Sequence, residues 1–251
     1  MSNRRVLEKG KPRARASMSS REALSKVPYF ASLPASELRR LAGRCTIRRL
    51  GPGEALFEEG EPCRGLLVVA EGCVEVGQVS LRGRQQVFHT EGAGATLGEA
   101  PLFDGGGYIA SAVALVPTNV LFLPRAEVLQ LCQRHPVVAL AMLKALARRV
   151  RHFAGIVGDL AFRPVAERLA RHLEAMLTAP IEPGACLDLT LTQAQLAARL
   201  GTVRELVARA FSQLEERGVI ARERSRVTIR DPGRLAALAR GDEEAWRGTA
   251  L

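Results

Sequence analysis

The sequence predicts an α+β protein in three parts: an N-terminal β-sandwich or barrel, a long helix, and a C-terminal helix-turn-helix that continues into a hairpin. Short β-like runs alternate with glycines from about residue 45 to residue 123. An apolar heptad pattern follows Pro136, and two short amphipathic segments flank Gly201. With 251 residues, the chain is long enough for two domains that each have a core.

The front half carries the pattern of an all-β domain. Many short strands with regularly spaced turn residues are typical of a β-sandwich or barrel. The runs that we predict as strands cover residues 66–69, 73–76, 86–88, 112–116 and 120–123, and glycines lie between most of them. Before them, residues 33–38 indicate the start of a short helix.

A long helix is predicted from Pro136, because proline favours the first position of a helix. Apolar residues then recur at alternating spacings of four and three from Ala139 to Leu160, which is the pattern of a two-helix coiled coil. We take the seam of a homodimer to be Leu143, Leu146, Val150, Phe153 and Val157. The basic residues that lie off this seam are Lys144, Arg148, Arg149 and Arg151.

The alternative is that the apolar stripe packs against its own domain. Gly155 and Gly158 weaken the end of the helix, because glycine is a poor helix former, and they keep this alternative open.

Two adjacent capping patterns predict the helix-turn-helix. Thr192 and Gln195 form a capping box for the first helix, and Thr202 and Glu205 form a second one for the next helix. Gly201 lies between them, where a turn with positive φ favours glycine.

The second helix has one apolar face and one charged face. Its apolar residues recur at helical spacing and are Val203, Val207, Ala210 and Leu214, and Gly218 stops the helix. Arg204, Glu205 and Arg209 lie near the opposite face. Arginine can fork onto guanine O6 and N7, and glutamate can accept from cytosine N4, so this helix is predicted to enter a DNA major groove.

The residues predicted to contact DNA in this segment are Thr192, Gln193, Thr202, Arg204, Glu205 and Arg209. The alternative is an ordinary helical hairpin whose Glu205 and Arg209 form a solvated surface pair.

Residues 219–230 predict a small hairpin, or wing, with a polar turn near residues 223–225. Arg222, Arg224 and Arg226 on this hairpin would meet phosphates, which position a protein on DNA without specifying the sequence. Arg224, at the turn, is the predicted phosphate contact.

The formal net charge of +10 is typical of a protein that binds a polyanion such as a nucleic acid. Residues 1–21 are predicted to be a disordered basic tail, because their apolar content is low and Glu8 is the one acidic residue among the first twenty. No apolar run approaches the roughly 18 residues of a membrane span, and the start lacks the apolar core of a signal peptide. We therefore expect a cytoplasmic protein.

Catalytic and metal sites are not predicted. The five cysteines, Cys45, Cys63, Cys73, Cys132 and Cys186, are too widely spaced for a CxxC-type metal site. The sequence has no nucleophile–base motif and no phosphate-binding loop, so no catalytic residue is assigned and the protein is not expected to be an enzyme.

Four stretches together resemble the Crp/Fnr family of bacterial transcription regulators. They are PYFASLP at 28–34, LFEEGEPCRGLLVVAEGCVEV at 56–76, LGEAPLF at 97–103 and the helix-turn-helix. The resemblance covers residues 27–238. It implies a double-stranded β-roll like that of cyclic-nucleotide-binding domains, a dimerisation helix and a winged helix-turn-helix. It also implies double-stranded DNA, a second copy of the chain and RNA polymerase as partners.

The domain boundaries expected from this resemblance start with the tail at 1–21. They continue with the β-roll at 22–134, the dimerisation helix at 135–160, the DNA-binding domain at 161–238 and a C-terminal tail at 239–251. A two-fold dimer implies a roughly palindromic DNA site with half-sites about one helical turn apart.

Members of the family that bind cyclic AMP use a segment that opens with Gly-Glu and, about ten residues later, an Arg that neutralises the phosphate. Gly98 and Glu99 match the opening, but Ile109 or Ala110 occupies the arginine position, before Ser111. Residues 85–124 contain no lysine or arginine. Burying a phosphate without a cation is costly, so cyclic AMP is not expected to bind. The expected effector pocket comprises Gly98, Glu99, Ala110 and Ser111.

Other members of the family carry an iron–sulfur cluster or a haem. The cluster requires grouped N-terminal cysteines, whereas the first cysteine here is Cys45 and none are grouped. A haem needs an axial ligand. His89 is the only histidine in the predicted β-roll, and a lone histidine on a strand is more often a surface or core residue. The sequence therefore does not identify an effector.

Two functions from different classes fit these patterns. The first is a DNA-binding transcription regulator. The second is a ligand-binding regulatory module that acts on a protein partner, as cyclic-nucleotide domains do in kinases and channels. The helix-turn-helix and the absent phosphate arginine favour the first.

Overall fold

The computed structural model describes residues 19–177 and 181–242. Two antiparallel sheets face each other in its N-terminal half. The strands are β1 (Thr46–Leu50), β2 (Ala55–Phe57), β3 (Gly65–Glu71), β4 (Cys73–Val79), β5 (Gln85–Gly92), β6 (Thr96–Leu97), β7 (Ser111–Ala114) and β8 (Thr118–Pro124). Within the described residues, one sheet has the order β1-β8-β3-β6 and the other has the order β2-β7-β4-β5. This arrangement is the predicted β-roll.

Strand β3 explains how the sheets pack, because it is buried on both of its faces. Successive side chains on a strand point to opposite sides. Leu67 and Val69 face the second sheet and join the core between the two sheets. Leu66 and Val68 face the other way, into a core covered by helices. A strand that is buried on both faces needs apolar residues at successive positions. The sequence of β3 is therefore a continuous apolar run without polar residues in alternation.

Helices cover the outer face of the first sheet. They are α1 (Ser20–Ser25), a 3-10 turn (Pro28–Phe30), α2 (Ala35–Ala42) and α4 (Arg125–Arg134), while α3 (Glu99–Asp104) follows β6. Phe30 and Leu41 are fully buried in this core, together with Val138 and Met142 of the next helix.

The long helix α5 (Pro136–Phe162) begins at the predicted proline and passes through Gly155 and Gly158 without a break. It runs past the predicted end at residue 160. Arg163 follows the helix and pairs with Asp159 at 3.0 Å and with Glu167 at 3.4 Å. These contacts lie where the long helix meets the C-terminal part.

The C-terminal part is a winged helix-turn-helix. Its elements are α6 (Val165–Ala175), β9 (Cys186–Asp188), α7 (Gln193–Leu200), α8 (Arg204–Glu216), β10 (Ile220–Glu223), β11 (Arg226–Ile229) and α9 (Pro232–Arg240). The strands form an antiparallel sheet in the order β10-β11-β9. Phe211 and Leu214 of α8 lie at the centre of the core that these elements share.

Several sequence predictions are corrected. The disordered tail does not extend to residue 21, because Ser19 caps α1 with its hydroxyl and Leu24 is fully buried. The C-terminal tail does not begin at residue 239, because Ala239 is buried in α9. Residues 1–18 and 243–251 of the two predicted tails lie outside the described residues.

Strands β1, β2, β6 and β9 were not predicted, and the strand expected at 112–116 ends at Ala114. These strands are only two to five residues long, which leaves little pattern to recognise in the sequence. In β1, the residues before Leu50 are also exposed. Among the residues described, no helix is both long enough and apolar enough to cross a membrane.

Candidate functional site

The first helix of the helix-turn-helix begins as predicted. The Thr192 hydroxyl accepts a hydrogen bond from the Gln195 backbone N–H at 3.2 Å, and the Thr192 N–H donates to the Gln195 side chain at 2.9 Å. This reciprocal capping box is confirmed. Gly201 ends α7 with φ of 63°, and a side chain at this position would collide with Gln86 and Leu160. The positive φ is what favours glycine at this turn, since the ends of the flexible Gln86 and Leu160 side chains could move aside.

The second capping box is not formed, and this prediction was wrong. The Thr202 N–H bonds to the Ala197 carbonyl at 2.9 Å, which draws Thr202 inward as part of the end of α7. Thr202 is buried, so we no longer expect its hydroxyl to contact DNA. Val203 is the N-cap of α8 and stays partly exposed rather than joining the buried face. The remaining apolar residues of that face, Val207, Ala210 and Leu214, are buried as predicted.

The opposite face of α8 carries the predicted charged residues. Arg204, Glu205 and Arg209 are all exposed. Among the described residues, none of the three makes a side-chain hydrogen bond or an ion pair, and the alternative Glu205–Arg209 surface pair is not formed. Three long polar side chains are thus held on a rigid helix with their donors and acceptors available.

The wing forms as predicted, but its arginines differ in environment. Arg224 sits at the turn with φ of 55° and lines a groove shared with Gln193 and Phe211. Arg222 lies over the Phe211 ring at 4.6 Å and approaches Glu215 at 3.8 Å. The prediction that Arg222 meets phosphate therefore loses support, because its guanidinium is already engaged within the domain.

The apolar stripe of α5 divides between two directions. Leu143, Val150 and Val157 are 62%, 68% and 64% exposed. Leu146 and Phe153 turn instead toward the β-roll, where the Phe153 ring meets the Phe88 ring edge-on at 5.3 Å. Leu146 and Phe153 are half-buried within the chain, whereas Leu143, Val150 and Val157 are exposed, and the five-residue seam stays a prediction. The heptad contains both an outward row and an inward row.

A cavity of about 170 Å³ lies between the β-roll and α5. Its walls are mostly apolar and include Phe57, Val76, Phe88, Leu146, Val150 and Phe153. Gly98, Glu99 and Ala110 of the predicted effector pocket line it. Ser111 is not among its lining residues. Its hydroxyl accepts from the Glu59 backbone N–H at 3.0 Å instead, so the prediction for Ser111 was wrong.

A cation reaches this cavity from α5. Arg149 donates to Glu99 at 2.6 Å and to the Thr96 carbonyl at 2.6 Å, and it lies 3.5 Å from Glu91. Glu99 is almost fully buried and also accepts from Tyr29 at 3.1 Å. The absence of basic residues from 85–124 did not mean that the pocket lacks a cation, since Arg149 comes from a distant helix. Its guanidinium, however, is already neutralised by Glu99.

His89 also lines the cavity. Burial, with Arg149 and His152 nearby, lowers its pKa to about 4, so the ring is neutral at pH 7. Its Nε2 is buried and makes no hydrogen bond to any described residue. The Glu91 carboxylate is 3.6 Å away, which is too far for a hydrogen bond. Because this atom has almost no accessible surface, it faces other protein atoms and not the open space of the cavity.

The helix-turn-helix touches the β-roll directly. Arg199 of α7 pairs with Glu75 of β4 at 3.1 Å, and both side chains are largely buried. Arg168 of α6 donates to the Leu200 carbonyl at 2.5 Å. The Arg199–Glu75 pair thus joins the helix-turn-helix to the same β-roll that forms one wall of the cavity.

No cluster of three or more metal-binding side chains is present in the described part of the chain.

Comparison with known families gives two matches. Residues 47–135 match the cyclic nucleotide-binding domain, and residues 167–238 match the Crp-like helix-turn-helix domain. Together they cover the strands of the β-roll and the winged helix-turn-helix.

Similar proteins are transcription regulators. The chain is 34% identical over 195 residues to the cyclic AMP receptor protein of Thermus thermophilus, covering 77% of this chain and 88% of that one. It is 29% identical over 222 residues to a CRP-like cAMP-activated global transcriptional regulator of Mycobacterium tuberculosis, covering 87% and 99%. The fold resembles that of the global regulator CLP of Xanthomonas campestris, with a TM-score of 0.67 and 22% identity over 78% of this chain and 99% of that one.

Proposed function

Because this chain belongs to the Crp/Fnr family of bacterial transcription regulators, we propose that it acts as a homodimer on a palindromic DNA site under the control of an effector. The family consists of DNA-binding regulators rather than enzymes. The observation that carries the proposal is the outward face of α8. Arg204, Glu205 and Arg209 have no partner among the described residues and suit base edges in a major groove.

The outward row on α5 supports the homodimer. Leu143, Val150 and Val157 are spaced by seven residues and are each more than half exposed. With the half-buried Leu146 and Phe153, this row has the alternating spacing of three and four residues that a two-helix coiled-coil seam requires. A second copy related by a two-fold axis would cover it and place two α8 helices on successive half-sites.

Control by an effector is supported by the position of the cavity. Val150 lines the cavity and also belongs to the outward row of α5. A ligand that binds one arrangement of α5 more tightly would shift the dimer toward that arrangement. RNA polymerase is a partner by family membership. The alternative, a module acting on a protein partner, receives no support from a specific observation.

The first test is a salt titration of binding to a random-sequence duplex. Arg224→Ala should reduce the slope of log affinity against log salt by about one, because one phosphate contact is lost. Arg39→Ala is the matched control, since Arg39 is an exposed arginine on the β-roll helix α2. Equal slopes for both variants and the wild type would contradict the proposed placement of the wing on DNA.

Arg209→Ala should cost about 1–3 kcal/mol of affinity for a specific site and little for random DNA, because a bidentate guanine contact is lost. Glu205→Ala should gain affinity for random DNA while losing discrimination, since it removes a negative charge near phosphates. Fluorescence anisotropy with specific and random duplexes measures both effects. A uniform loss across both duplexes for Arg209→Ala would assign Arg209 to phosphate instead.

Relatives named for cyclic AMP make that nucleotide the first ligand to test. We expect no rise in melting temperature at millimolar cyclic AMP, because Glu99 already holds the only cation that lines the described cavity. A ligand at 100 times its dissociation constant would stabilise the folded state by about 2.7 kcal/mol. A saturable rise in melting temperature would contradict this expectation.

A further inference from the structure

The size and walls of the cavity set the first limit on its ligand. An engineered apolar cavity of about 150 Å³ binds benzene, and the space here, which is partly open to solvent, measures about 170 Å³. The Phe57 and Tyr108 rings stack at 3.8 Å on one side, and Phe88 and Phe153 meet on the other. A cyclic nucleotide, with purine, ribose and phosphate, is several times larger than benzene.

Charge sets the second limit. Glu99 and Glu91 face a single guanidinium, that of Arg149, and His89 is neutral. The donors of Arg149 that point inward already reach Glu99 and the Thr96 carbonyl. An anionic ligand would have to compete with a buried carboxylate for this guanidinium, or stand beside that carboxylate unpaired.

We propose that the cavity binds a small, uncharged and largely apolar molecule, close to a substituted benzene in size. The inference rests on the proposed function only in treating this molecule as the effector. The class includes phenols and short neutral alcohols or ketones.

Fluorine NMR of 4-fluorophenol with the full chain tests the proposal. The probe is neutral at pH 7, because a phenol titrates near pH 10. Its resonance should broaden saturably, and excess phenol should reverse the effect. We expect 4-fluorobenzoate, which has the same ring and a carboxylate, to bind at least about ten-fold more weakly. Equal or tighter binding of 4-fluorobenzoate, displacement of 4-fluorophenol by cyclic AMP, or no saturable binding of the phenol would overturn the proposal.

Variants connect binding to the cavity. Ala110→Leu should fill the cavity and abolish binding of 4-fluorophenol, because Ala110 lines it. Ala147→Leu is the matched control, because Ala147 is exposed on α5 and does not line the cavity. If Ala110→Leu does not fold, Leu146→Trp, at a half-buried lining position, should have the same effect. Unchanged 4-fluorophenol binding in a folded cavity-filling variant would overturn the proposal.

Failure of this proposal is distinct from failure of the proposed function. Probe binding is measured without DNA. A chain that binds 4-fluorophenol but no DNA would contradict the regulator assignment alone, and a chain that binds DNA but no neutral probe would contradict the ligand class alone.

Discussion

Replacing Val150 with aspartate should convert the homodimer into monomers and weaken DNA binding by at least about a hundred-fold. Val150 lies in the middle of the outward row of α5 and is 68% exposed in the single chain. In a two-fold dimer the new carboxylate would be buried near its symmetry mate, which is costly without a partner. Monomers would then engage half-sites one at a time and lose the gain from linked binding.

Sedimentation and a DNA-binding titration on the same preparation measure both effects. Arg151→Asp is the control for oligomeric state, because Arg151 is the exposed neighbour that lies off the seam. If Val150→Asp remained dimeric, the outward row of α5 would not be the dimer seam. Phe153→Asp is a less suitable test, because Phe153 packs on Phe88 and its loss would disturb the fold of each chain.

Replacing Arg149 with methionine should destabilise the protein by about 3–5 kcal/mol. Methionine keeps much of the apolar length of the side chain but leaves the Glu99 carboxylate buried without a cation. The hydroxyls of Tyr29 and Thr96 would remain as its hydrogen-bond donors. Urea unfolding at fixed protein concentration measures the change, since the stability of a dimer depends on concentration.

A control and a rescue make the Arg149 test specific. Arg148→Met removes a neighbouring exposed arginine and should change stability by no more than about 0.5 kcal/mol. Adding Glu99→Gln to Arg149→Met should recover part of the loss, because the buried charge is then gone. An Arg149→Met variant as stable as the wild type would show that the ion pair contributes nothing to the fold.

The sequence predicted local structure where the local signal was strong. The Thr192 capping box, the positive φ of Gly201 and the start of α5 at Pro136 each depend on residues close in sequence. The Thr202 box failed because the same pattern competes with the end of the preceding helix. The Thr202 N–H donates to the Ala197 carbonyl of that helix and is not available to the Glu205 side chain.

The sequence placed Gly98, Glu99 and Ala110 in the effector pocket, but the α5 wall of the cavity was missed because it is distant from them in sequence. Arg149 and Glu99 are separated by 50 residues, and no local pattern signals that one neutralises the other. The packing partner of the heptad stripe could not be predicted either. A period of 3.5 residues predicts an apolar face but does not say whether Leu146 packs on its own β-roll or on a second chain.

The most direct test of the central claim is selection of bound sequences from a random DNA pool, run in parallel with the wild type and Arg209→Ala. We predict that the wild type enriches a palindrome with half-site centres about one helical turn apart. Arg209→Ala should lose the preference at one base pair in each half-site, symmetrically. A wild-type pool without a palindrome, or an Arg209→Ala pool with the wild-type preference at every position, would contradict the account that paired α8 helices read the DNA.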